Sequence, residues 1–255
     1  MSKNTVLQQP HPTQGTNLLL QNISFWGGAA ALMIVCTALA EIVITYLPGG
    51  YSTADTVIDW FALLQNNPFM GLRNLGLLNI VMTSLGIPLT FALFWVHRKS
   101  SSTLAPLALI LAMIGTAIFF ATNRAFPMLD LSAQYSNATT DAQKQILEAS
   151  GAAMLAVGQS HTPGTFLAFA FSEVAGILIA LVMMRGKLFK MAAVLSGLIG
   201  YGSLFIFEIF SSFVSSSHDW ILIIAMIGGL CNVTWYILAG LRLFQLGKQN
   251  GIGEK

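Results

Sequence analysis

Charge is scarce in this sequence. Only 9% of its 255 residues are Asp, Glu, Lys or Arg, against about a quarter in an ordinary soluble domain. Hydrophobic residues make up 55% and the mean hydropathy is +0.71, so a water-exposed globule of this size is excluded. The net charge of +2 is too small for a nucleic-acid interface, which needs a concentrated basic patch. The two cysteines, Cys36 and Cys231, sit inside apolar runs without metal-ligand or disulfide-framework spacing and read as small packing groups. The four histidines, His11, His97, His161 and His218, all fall outside those runs. That placement disfavours a haem held between facing intramembrane histidines, and equally a His-rich zinc centre. His161 and His218 read as solvated loop residues. There is no Gly-rich phosphate loop and no GxSxG elbow. No cofactor, metal site or catalytic residue is therefore assigned.

Long apolar runs are what the chain does have. Six approach the ~20 residues that a helix needs to cross a hydrocarbon core, near 25–47, 70–96, 103–124, 164–184, 191–214 and 220–242. Helices are required because lipid-exposed backbone must satisfy its own hydrogen bonds, and the alternation of a membrane β-barrel is missing. The fold expected is an all-α, integral membrane bundle of six helices over 25–243, with a mobile tail at 1–24 and a second tail at 244–255. Ala38-Leu39-Ala40 resembles a signal-peptide cleavage site, but the apolar run continues past it through Ile44, which favours an uncut span. With the N-terminus in the cytoplasm, nine of the twelve Lys and Arg residues (all but Arg73, Arg124 and Lys144) fall on the cytoplasmic side. The positive-inside rule therefore puts both termini there.

The two long connections then face outward. In the first, Pro48-Gly49-Gly50 signals a turn, and Ser52 or Thr53 is placed to cap an amphipathic helix near 53–66 carrying Ile58, Phe61 and Leu64. In the second, Thr140-Asp141-Ala142-Gln143 fits a capping box. It opens a helix near 140–158 with Ile146, Leu147, Met154 and Val157 as an apolar stripe.

The informative residues are those that lipid penalises. A charge at the bilayer centre costs at least roughly 2.5–3.5 kcal/mol, so such groups face protein or water. Glu41, Glu173 and Glu208 lie in the first, fourth and fifth runs; Arg73 begins the second and Arg124 ends the third. In the orientation above, all five fall in the outer half of the membrane. Helical phase groups polar residues on one face of each span. Thr37, Glu41 and Thr45 share a face, Arg73, Gly76, Asn79 and Thr83 another, and Thr116 with Asn123 a third. Ser172, Glu173 and Gly176 follow on the fourth span, Gly200, Tyr201 and Glu208 on the fifth, and Gly228, Asn232, Trp235 and Tyr236 on the sixth.

Two outer-loop strings carry a resemblance. They are Phe61-Ala62-Leu63-Leu64-Gln65-Asn66-Asn67-Pro68 and Gln134-Tyr135-Ser136-Asn137-Ala138-Thr139-Thr140-Asp141-Ala142-Gln143, joined by the Asn123-Arg124-Ala125-Phe126-Pro127 junction. Together they resemble a family of small bacterial integral membrane proteins catalogued as a domain of unknown function. The resemblance covers the chain from first to sixth span and implies a bacterial cytoplasmic (inner) membrane. It carries no activity, ligand or catalytic residue.

Three functions remain open. The first is a binding or transport protein whose outward-facing polar pocket is formed by Glu41, Arg73, Asn79, Asn123, Arg124, Glu173, Glu208 and Asn232 and takes a small polar or amphiphilic ligand. The second is a structural or regulatory membrane protein in which Arg73 and Arg124 neutralise two of the three glutamates and the third is protonated or hydrogen-bonded. The third, a lipid- or envelope-modifying enzyme, lacks nucleophile and metal motifs, although a lone Glu leaves none to find. The lipid bilayer is the expected partner. Nucleic acid is not, and the sequence leaves a protein partner or a homo-oligomer open.

Overall fold

The computed structural model describes residues 14–47, 54–214 and 219–252, and all regular structure among them is helical. The Pro48–Gly50 turn, Ser52, Thr53, His218, Lys3 and Lys255 lie outside the described residues. Six helices are long and apolar enough to cross a membrane. They are α1 (Gln14–Tyr46), α4 (Leu77–His97), α5 (Leu104–Thr122), α8 (Phe166–Gly186), α9 (Met191–Phe213) and α10 (Asp219–Ile252). Four shorter helices fill the long connections: α2 (Val57–Asn66), α3 (Pro68–Asn74), α6 (Ala125–Asn137) and α7 (Asp141–Val157). The helix limits differ from the expected tails. Residues 14–24 already belong to α1, and α10 continues past 243. The cause is packing, since the ends of the two helices meet where Gly247 lies beside the Gln21 carbonyl.

The six long helices form a closed ring. α1 packs between α4 and α10, α5 between α4 and α8, and α9 between α8 and α10. Small residues set how closely neighbours approach. At the α1–α10 crossing, a Cβ added to Gly28 would sit 2.9 Å from the Gly240 carbonyl oxygen. One buried cluster, including Ala31, Ala92, Leu93, Met183, Val194, Trp235 and Leu243, joins all of the ring helices except α5 through its largest side chains, and Ala108 adds α5.

The second span is shorter than its apolar run implies. The expected helix from residue 70 is interrupted by Gly76, whose φ of +103° is disfavoured for any residue with a Cβ. Residues 68–74 thus form a separate α3, started by Asn67, whose side-chain oxygen accepts from the Met70 N–H at 3.1 Å. Arg73 consequently sits on α3 and is not on the polar face of α4.

The short helices assemble into a cap over one end of the ring. Phe61, Leu64, Leu75, Ala125 and Met128 are fully or almost fully buried among them. Gln65 donates to the Ser132 carbonyl, and the Ser132 hydroxyl to the Phe61 carbonyl, each at 3.0 Å. The N-cap of α2 is Thr56, later in the chain than the expected Ser52 or Thr53. α7 starts with the Thr140–Gln143 capping box. Its buried side runs through Gly151, Met154 and Leu155, while Ile146 and Val157 of the expected stripe are exposed.

Two outcomes follow. Gly76→Ala should cost about 1–3 kcal/mol, the usual range for a strained backbone conformation, and lower Tm accordingly. Gly86→Ala in mid-helix, where an added Cβ meets nothing within 4 Å, should not. The Thr56 hydroxyl and N–H both donate to Asp59, at 2.7 and 3.0 Å. These bonds hold its carboxyl below its ordinary pKa of 3.8. A depressed folded pKa gives stabilisation that is full above the ordinary value and lost as pH falls through the folded one. Amide protection in α2 should therefore fall as the pH is lowered below the ordinary value of 3.8 in the wild type. Asp59→Asn should show no such step.

Candidate functional site

The ring surrounds a cavity of about 690 Å³. Every ring helix contributes: Glu41 from α1, Asn79 and Thr83 from α4, Thr116 and Phe119 from α5, Ser172 and Glu173 from α8, Tyr201 from α9, and Asn232, Trp235 and Tyr236 from α10. Four of the eight expected site residues, Glu41, Asn79, Glu173 and Asn232, thus share one space. The walls are otherwise mostly apolar, with side chains such as Ile34, Val35, Met82, Leu93 and Ile179.

Alternation of helix direction explains the clustering. Glu41 lies near the C-terminus of α1, Asn79 near the N-terminus of α4, and Glu173 in the second turn of α8. Chain direction reverses at each crossing, so all three come to the capped end of the ring.

Arg73 enters from the cap. Its side chain is 2% exposed, and the guanidinium pairs with Glu41 Oε1 at 2.8 Å. It also donates to the Glu41 carbonyl at 3.0 Å, to the Thr45 hydroxyl, and to Asn74 Oδ1 at 2.8 Å. A cation at the C-terminal turn of α1 meets the negative end of the helix dipole as well as a carboxylate. Arg73 is therefore a clamp between α3 and α1.

Arg124 does not pair with a glutamate. Its Nη1 donates to the Leu155 carbonyl at 3.0 Å, in the last turn of α7, and its side chain packs against Gly158. The same logic applies: an arginine satisfies a helix C-terminus, and here it fastens α7 to the end of α5. Asn123 is the C-cap of α5, and its Oδ1 accepts from the Ala125 N–H at 3.0 Å. It faces a void of about 10 Å³ beneath the cap, which shares Asn79, Phe119 and Phe169 with the large cavity.

Glu208 lies outside the cavity lining and is 1% exposed. Its partner is His161, whose Nδ1 stands 2.6 Å from Oε2, while the Ser212 hydroxyl donates to Oε1 at 3.1 Å. His161 keeps a loop position and a side chain 41% exposed, as expected of a solvated loop residue, and it is in addition an ion partner. It stacks on Phe169 with centroids 4.9 Å apart, meets the Phe207 ring edge-on, and holds a left-handed φ of 59°. His97 is less peripheral than expected. It is the last residue of α4, fully buried, and stacks on Phe189.

Glu173 is the exception among the three glutamates. Among the described residues, no hydrogen bond or ion pair engages it, and Oε2 is buried without a partner. Around it, the Tyr201 hydroxyl donates to the Tyr236 hydroxyl at 3.3 Å, and Asn232, 7% exposed, leaves Oδ1 unbonded. Gly176 admits the Tyr201 ring against α8, where any Cβ would collide with it. No protein family, curated protein or solved structure matches the chain.

Glu208 is buried while the His161 side chain is 41% exposed, so losing the histidine leaves a buried carboxylate without its ion partner, and losing the glutamate leaves an imidazole that solvent can reach. His161→Ala and Glu208→Ala should each destabilise by about 1–3 kcal/mol. The double variant should lose clearly less than the sum, since both remove the same interaction. Additive losses in thermal unfolding would mean that the two residues act independently.

Proposed function

We propose that this polytopic membrane protein binds or transports a small polar or amphiphilic ligand in the intramembrane cavity, which opens to the outer face. The observation that carries the reading is Glu173, a carboxylate without a protein partner, facing a cavity large enough for a drug-sized molecule. A cavity of about 690 Å³ that is open to its surroundings is filled by water, lipid or ligand. The excess of Lys and Arg at the termini and at 97–102 and 185–190 supports an orientation with both termini cytoplasmic. The capped end is then the outer one. The strings 61–68 and 134–143, which carry the resemblance to a bacterial membrane-protein family, lie on or beside the cap helices, and the proposed location is the bacterial cytoplasmic membrane.

A second reading, that the charges only hold the bundle together, draws on the Arg73–Glu41 and His161–Glu208 pairs. Those contacts account for two of the three glutamates and leave Glu173 unexplained.

Cysteine accessibility tests the first reading. In a background without Cys36 and Cys231, Gly86→Cys and Gly229→Cys place a thiol on the cavity wall, where the added atom meets open space. A membrane-impermeant cationic methanethiosulfonate added outside intact cells should modify both. Labelling only from the cytoplasmic side would reverse the orientation. Absence of labelling in the folded, detergent-purified protein would contradict a hydrated cavity.

A further inference from the structure

The chemistry of the cavity wall narrows the ligand class, on the basis of the binding reading above. Among the described residues, no Lys, Arg or His lines the cavity. The nearby Arg73 is committed to Glu41 and Thr45. The wall therefore offers an anion neutral donors but no positive charge, and it offers a cation a carboxylate, Glu173, without a partner of its own among those residues.

The aromatic residues that share the cavity with Glu173 point the same way. Tyr201 and Trp235 have ring centroids 5.2 Å apart and planes at 79°, and Trp235 and Tyr236 are 5.1 Å apart at 71°. Three electron-rich rings in two edge-to-face contacts, in one cavity with a carboxylate, are the chemistry that holds an organic ammonium or phosphonium ion. Ring faces attract a diffuse positive charge, most strongly where water is excluded. The remaining wall is aliphatic and suits an apolar body on that cation.

A route into the cavity is visible between α1 and α10. The two helices touch closely at Gly28 and Gly240. Toward the capped end, Ile42, Met226 and Leu230 line the cavity while remaining 52%, 67% and 70% exposed. A side chain that faces both the cavity and the outside of the ring marks an opening in the wall. The outside of the ring at that level is apolar, with Leu39, Val43 and Ile227 also exposed, so the opening faces hydrocarbon.

We propose that the cavity binds a lipophilic organic cation, its charge held between Glu173 and the Tyr201, Trp235 and Tyr236 rings, and that this ligand enters from the bilayer between α1 and α10. The bilayer concentrates such amphiphiles, and the gap admits them directly from lipid, beside the aqueous access from the outer face on which the binding reading rests.

Three probes of graded chemistry test the assignment on the full chain in lipid nanodiscs. Tetraphenylphosphonium is cationic and lipophilic, tetraphenylborate is its near-isosteric anion, and tetramethylammonium is a cation without an apolar body. Equilibrium binding should favour tetraphenylphosphonium over each of the others by at least tenfold. Glu173→Gln, which keeps shape and hydrogen-bonding capacity, should weaken tetraphenylphosphonium at least tenfold with Tm unchanged or raised. Gly229→Phe, which fills the gap from the α10 side, should slow its binding severalfold. Equal binding of phosphonium and borate, or an unchanged affinity in Glu173→Gln, would overturn the cation assignment while leaving a ligand-binding cavity in place. Preference for tetramethylammonium, or an unchanged rate in Gly229→Phe, would overturn entry from lipid. Absence of binding by all three would overturn both this inference and the binding reading beneath it.

Discussion

The cost of placing charge in hydrocarbon governs the arrangement of this molecule. With only 9% charged residues in the chain, each ionisable group near the ring must find a partner or face a polar space. Most find one at a helix end. Arg73 takes both the Glu41 carboxylate and the Glu41 carbonyl, and Arg124 takes the Leu155 carbonyl. Away from the cap, Arg242 donates to the Leu188 carbonyl at 2.7 Å. The guanidinium suits this use because its donors are several and fixed in direction. The cap depends on these contacts: α3 is tied to α1 through Arg73 and α7 to the end of α5 through Arg124. Remove that constraint and the apolar cluster under the cap loses two of the ties that hold it over the ring.

Against this background of satisfied charges, Glu173 stands apart. Its neighbours are not short of hydrogen-bonding groups, since Ser172, Tyr201, Tyr236 and Asn232 all line the same cavity. Three of them bond to each other or to backbone instead, Ser172 to the Ala168 carbonyl at 2.8 Å and Tyr201 to Tyr236, while Asn232 leaves its Oδ1 unbonded. The small residues that bring helices together on one side of the ring leave space on the inner side. Gly28, Gly240 and Gly200 admit a close neighbour, while an added Cβ at Gly86 or Gly229 meets nothing within 4 Å. Packing and cavity are thus two consequences of the same residue type.

The sequence made the spans and their polar faces legible because both follow from local periodicity. Six apolar runs stood out by length alone, and the phase of Glu41, Asn79, Glu173 and Asn232 placed them on inward faces. What escaped was long-range or conformational. The break at Gly76 was hidden because one glycine inside an apolar run is ordinary, and only its positive φ separates Arg73 from α4. The His161–Glu208 pair joins residues 47 apart in the chain, and no local pattern announces it. Thr162-Pro163 after the histidine was visible, but a turn signal does not say what the turned side chain will meet. The structural alternative pairs Arg124 with a glutamate because charge counting ignores the carbonyls at helix ends, which compete for the same donors.

The central claim is that Glu173 faces an occupied cavity without a protein partner. A cryo-electron microscopy map of the full chain in lipid nanodiscs, at a resolution that shows ordered water, tests it most directly. The account predicts non-protein density within hydrogen-bonding distance of the Glu173 carboxylate, in a cavity walled by Tyr201, Trp235 and Tyr236. A closed ring in which Glu173 is bonded to a protein side chain and the cavity is filled by its own helices would contradict it.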